Sequence, residues 1–167
     1  TRQIKHIGTN PITSRIFGAV MAINKNESVA IIGSPSYSGF GGRVYVYHRN
    51  ESSNQWVQQG TEFRSSTFTG TTVQQGVSVA VYDSTIVWAG TGDSSGAGRG
   101  YIWQWDGVSA YYEVANFSPS GICTTTACAM GSGTAIWGNY VAFGARLDVG
   151  GEGSILVYKK TGSTWAF

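Results

Sequence analysis

Phe17-Gly18-Ala19-Val20-Met21-Ala22-Ile23, Gln75-Gly76-Val77-Ser78-Val79-Ala80-Val81 and Met130-Gly131-Ser132-Gly133-Thr134-Ala135-Ile136 are three versions of one pattern. Gly18 aligns with Gly76 and Ala22 with Ala80 at an offset of 58, and the third version follows the second at an offset of 55. Small and apolar residues alternate in each, as they do in a strand packed among neighbours. The chain is therefore read as a repeat, and this segment as the first strand of each unit.

The rest of the unit repeats as well. Ser28–Gly33, Thr85–Gly90 and Asn139–Gly144 are short apolar runs that each end on glycine, which reads as a buried second strand. Arg43–Tyr47, Tyr101–Trp105 and Ser154–Tyr158 follow Gly-rich loops and are rich in β-branched or aromatic residues, so they form a third strand. Trp56, Tyr112 and Trp165 mark a fourth strand, each after a polar connection of hairpin length. Four strands recurring three times in units of about 57 residues predict an all-β chain of three four-stranded antiparallel, propeller-like blades. The expected blades cover about 16–72, 73–128 and 129–167 within a single domain, 1–167.

Composition agrees. Of 167 residues, 12% are charged, 13% are aromatic and 24 are glycine, which suits short strands and tight turns better than amphipathic helices. The net charge of +2 comes from scattered Lys and Arg, so neither nucleic acid nor an acidic membrane surface is an expected partner. No run approaches the roughly 18 to 20 apolar residues of a membrane span, and membrane insertion is not expected. The first residues lack a signal-peptide pattern and begin with Thr1. The chain accordingly reads as a processed or excised piece.

Phe17-Gly18 followed by Gly33-Ser34-Pro35 resembles the Phe-Gly and Gly-Ala-Pro hallmarks of FG-GAP repeats, the blades of integrin α-like β-propellers. The second copy carries Gln75-Gly76 and Gly90-Thr91, the third Met130-Gly131 and Gly144-Ala145. A shared physical need explains the persistent glycines: close approach of adjacent sheets, or positive φ at a strand end. The resemblance would imply a calcium loop of the form Asp-x-Asp-x-Asp-Gly, which this chain lacks. Asp93, Asp148 and Glu152 are the nearest acidic loop residues and offer too few oxygens, so no metal and no cofactor are expected. Asp93 reads as a turn residue.

Cys123 and Cys128 flank a Thr-rich loop, where a small disulfide ring is expected and two thiols are the plain alternative. Asn26, Asn50 and Asn116 each begin an Asn-x-Ser sequon at positions read as surface loops, and they are the expected glycosylation sites. Together these features point to an extracellular or cell-surface setting. Catalysis is not expected: nine acids and two histidines include no nucleophile elbow, metalloprotease helix or phosphate loop. Trp88, Trp103, Trp105, Trp137, Tyr111 and Tyr112 could build a stacking platform for sugars, but packing between blades is the simpler use.

Three propeller blades leave two sheet faces without a neighbour. Residues 1–8 occupy the place of a fourth strand and are expected to complete the third blade, of the same chain or of a neighbour. The functional expectation is a non-catalytic structural or adhesive module, a filament or surface-protein subunit. Its partners would be copies of itself, the rest of a larger propeller, or another extracellular protein or glycan. The alternative is a lectin-like propeller fragment that binds a carbohydrate or protein ligand.

Overall fold

The computed structural model describes residues 16–36, 41–65 and 73–167. Twelve strands in these residues form three four-stranded antiparallel sheets, each a simple meander. The first sheet is β1 (Val20–Ile23), β2 (Val29–Ser34), β3 (Arg43–Asn50) and β4 (Gln55–Phe63). The second is β5 (Ser78–Tyr82), β6 (Thr85–Gly90), β7 (Arg99–Trp105) and β8 (Tyr111–Phe117). The third is β9 (Met130–Trp137), β10 (Tyr140–Ala145), β11 (Ser154–Thr161) and β12 (Thr164–Ala166). One helical turn at Asp93–Gly96 lies in the β6–β7 connection and one 3-10 turn at Val149–Gly151 in the β10–β11 connection. The all-β class and the four-strand unit follow the sequence reading. Among the described residues the sheets do not close into a ring.

The sheets stack in sequence order. β5 rests on β1 and β2, and β9 rests on β5 and β6. One apolar core, including Ile31, Val46, Ile86, Trp88 and Tyr101, fills the space between the first two sheets. A second, including Val87, Ile102, Phe117, Phe143 and Tyr158, fills the space between the second and third. The middle sheet is thus buried on both faces, which explains why β6 is apolar at successive positions and not at alternate ones.

Glycine makes the stacking possible. A Cβ at Gly33 would lie 2.0 Å from the carbonyl oxygen of Gly76, and one at Gly131 would lie 2.3 Å from the Cβ of Ala89. Gly76 and Gly131 also have φ of +80° and +95°. Both reasons inferred for these glycines hold at the same joint. Backbone bridges reinforce it, Gly42 to Gln75 and Gly98 to Met130, each parallel and each between successive sheets. The Ser78 hydroxyl adds a bond of 2.6 Å to the Gly131 carbonyl.

β12 supplies a fourth strand to the third sheet from within its own segment, pairing Lys159 to Ala166 and Thr161 to Thr164. The expected contribution of residues 1–8 falls outside the described residues.

Candidate functional site

Three features of the described surface combine shape with chemistry. The first is a groove of about 370 Å³ where the β1–β2 and β5–β6 turns meet the ends of β3, β7 and β8. Asn24 ties the two sheets together there. Its Oδ1 accepts from the amides of Ser28 and Val29 at 2.9 and 3.0 Å, while its Nδ2 donates 3.0 Å to the Asp83 carbonyl. His48 lies edge-on to Trp105 with ring centroids 4.7 Å apart and shares a 2.9 Å hydrogen bond with the Tyr111 hydroxyl. Burial pushes the His48 pKa down and the Tyr111 pKa up, which in each case favours the uncharged ring. Arg49, 3.6 Å from Glu27, and the sequon residue Asn26 complete the rim.

The second feature is a cup of about 290 Å³ formed by the Thr-rich connection between the second and third sheets. Cys123 and Cys128 are disulfide-bonded, with Cα atoms 6.4 Å apart. Buried Asp148 anchors this connection. Its carboxylate accepts from the Ser154 hydroxyl at 2.6 Å and from the Thr124 hydroxyl and amide at 2.8 and 2.7 Å. These bonds, the Ser154 and Thr124 hydroxyls above all, hold its carboxyl far below the usual carboxylate range. The donors all come from protein groups, which gives Asp148 a structural use that its place in an acidic loop did not reveal.

The third feature is the pair of outer sheet faces. On the first sheet, Met21 and Ile23 are exposed beside half-buried Ala30 and Ile32, over an apolar groove of about 440 Å³. On the third sheet, Tyr140, Ile155 and Val157 are exposed on the face turned away from the second sheet, whereas exposed Trp137 lies edge-on to Tyr82 of the second sheet with ring centroids 5.1 Å apart. Contiguous apolar faces of this kind mark contact surfaces, because single exposed apolar residues are ordinary and rows of them are not.

The expected site residues separate rather than gather. Asn26 and Asn50 are exposed, Asn26 in the β1–β2 turn and Asn50 at the end of β3. Asn116 is exposed too, but it is a strand residue and not a loop residue. It sits within β8, bonded to Arg99 at 2.9 Å and to Glu113 at 2.8 Å. Asp93 does open a turn, Asp93–Gly96, but its carboxylate has a further use. Asp93 is fully buried, paired with Arg99 at 3.2 Å and accepting from the Tyr101 hydroxyl at 2.5 Å. A buried carboxylate needs such partners, and the arginine six residues on was the only signal in the sequence.

The aromatics do not form one platform. Trp88, Trp103, Trp105 and Tyr111 pack between the first two sheets, whereas Trp137 and Tyr112 are exposed on different sheets. Among the described residues, no three His, Cys, Asp or Glu side chains gather as a metal site, and no helix is long and apolar enough to cross a membrane. No protein-family model matches the sequence, and no curated protein matches it.

Proposed function

We propose that the chain is a non-catalytic extracellular module, structural or adhesive, whose blades belong to a larger propeller-like assembly. One observation carries this reading: a stack of sheets whose joints repeat, ended on both sides by exposed apolar faces. A protein that worked alone would gain nothing from such faces and would risk aggregation through them. The disulfide and the exposed sequon residues Asn26 and Asn50 support an oxidising, surface location. The FG-GAP resemblance agrees, since the Gly33 and Gly76 positions that carry it are the ones that join sheets.

Antibody labelling of unpermeabilised native cells, with intact-mass analysis of the recovered chain, tests the proposal. Surface labelling and glycan mass at Asn50 are the expected results. An unglycosylated protein confined to the cell interior would refute it.

A second reading rests on the groove beside His48. His48, Arg49, Trp105 and Tyr111 offer hydrogen bonds next to ring edges, the combination a sugar-binding site uses. Asn26 lies on its rim, so a glycan there would compete with any bound sugar. Glycan-array binding that is lost in Trp105→Ala, in a protein free of glycan at Asn26, is the result this reading requires.

A further inference from the structure

We infer that the two open faces are the two halves of a joint the chain already makes twice, and that a second copy of the chain covers them. The outer face of the third sheet receives β1 of the next copy. The inference rests on reading the chain as an assembly module and adds which surfaces join.

Strand pairing fixes which positions correspond. Ala22 pairs with Ile31, Ala80 with Val87 and Ala135 with Ala142, and Val46, Ile102 and Val157 lie next in these rows on the third strands. Val46 and Ile102 are fully buried beneath the following sheet, while Val157 is 47% exposed. The opposite faces correspond in the same way. Val81 and Ile136 pack towards the preceding sheet, and their counterpart Ile23 is 53% exposed. Each open face is therefore a copy of a face that is covered elsewhere in the same molecule.

The backbone repeats the argument. Gln75 and Met130 lie against Gly42 and Gly98 of the preceding sheet, with amides donating to Gly41 and Ala97 at 3.4 and 2.9 Å. The unmatched equivalents at the two ends are Phe17 and Gly153. Gly33 meets Gly76 and Ala89 meets Gly131, which leaves Gly144 and Gly18 as the unmatched pair. A Cβ at Gly18 would have nothing within 4 Å, and Gly153 has only its own sheet nearby. Side-chain volume is redistributed to suit. Gly100 of the second sheet leaves room for the Phe143 ring of the third, whereas at the open joint Ile155 would meet the smaller Ile32.

A joint between two different faces is heterologous, so each copy can both give and receive. Two copies supply six sheets, within the roughly four to eight that close a propeller. The smallest closed product is a dimer.

Sedimentation velocity of the whole chain tests the pairing, with Ile23→Glu and Val157→Glu as face variants. Val108→Glu is the control, since Val108 is 83% exposed in the β7–β8 turn, away from both faces. Wild type and the control should associate, and either face variant alone should lose about a hundredfold or more in association, because a buried charge replaces an apolar contact. An equimolar mixture of the two face variants should form one-to-one dimers, because each retains the face the other lacks. Should Glu prevent folding, Ile23→Ser and Val157→Ser carry the same expectation with a smaller effect. A wild-type chain that stays monomeric at its highest soluble concentration, or a mixture that forms no dimers, overturns the pairing. It would leave residues 1–15 or another protein as the cover. Surface labelling of the native protein together with a monomeric chain would sink this inference and spare the proposed function.

Discussion

The second and third sheets are built to one plan and differ in what lies beside them. Ile102 and Val157 hold equivalent positions, yet the former is sealed between two sheets and the latter borders solvent. β6 is apolar on both faces, and β11 alternates buried with exposed residues although two of its exposed residues, Ile155 and Val157, are apolar, followed by Lys159 and Thr161. The difference teaches that the third sheet keeps an apolar outer face which no described part of the chain covers, the face that the pairing inferred above would fill.

The strongest way to sharpen this contrast is truncation at the two equivalent positions. Ile102→Ala should cost about 2–5 kcal/mol, the usual loss on emptying a packed site, whereas Val157→Ala in the monomer should stay within about 0.5 kcal/mol. Urea unfolding of dilute protein reads both. Equal losses would mean that the third sheet's outer face is covered in the monomer.

A second contrast sets Gly131 against Gly18. Both have positive φ, +95° and +86°, but only Gly131 lies against a neighbouring sheet. Alanine at Gly18 should cost about 1 kcal/mol from backbone strain, and alanine at Gly131 about 1–3 kcal/mol more from the clash with Ala89. Thermal unfolding midpoints of the dilute variants check the order.

Smaller effects are expected in the connection between these sheets. The ring closed by Cys123 and Cys128 spans a sequence separation of 5, so reduction should cost about 2 kcal/mol or less. Unfolding with and without reductant measures it. The bonds of Asp148 then set a pH dependence. Its folded pKa is depressed, so its contribution is complete above the unfolded value of about 3.9 and is lost as pH falls through the lower folded value. Stability should decline below about pH 4, and Asp148→Asn should make that acid limb shallower. An unchanged limb in the variant would show that Asp148 does not anchor the loop.

Much of the architecture could be read from local patterns. The three Gly-and-Ala strands, the Gly-ended second strands and the aromatic markers Trp56, Tyr112 and Trp165 all fall in the expected strands or next to their starts. These signals are local, since strand alternation and turn chemistry act within a few residues. The candidate sites were harder to read because burial is not local. Asp93 looked like a turn residue, and it becomes a buried ion-pair member only when β7 brings Arg99 and Tyr101 beside it. Asn116 looked like a loop residue, but the β8 register with β7 carries the strand through it, opposite Tyr101. Gln75, where the first copy has Phe17, gave no hint of its use: its backbone lies on Gly42 and its side chain accepts from the Ser65 amide at 2.9 Å.

The bridges at Gln75 and Met130 also govern how the molecule comes apart. Each lies in a short backbone seam between successive sheets, the second seam also carrying the Ala129 amide to the Gly96 carbonyl at 2.9 Å, so the stack behaves as a row of units coupled only to their nearest neighbours. The seams are unequal: the Met130 amide lies 2.9 Å from its acceptor and the Gln75 amide 3.4 Å from its own. Partial opening should therefore start at the looser seam, with the first sheet peeling away while the second and third remain locked. The Gln75 amide would exchange its hydrogen with solvent well before the Met130 amide does.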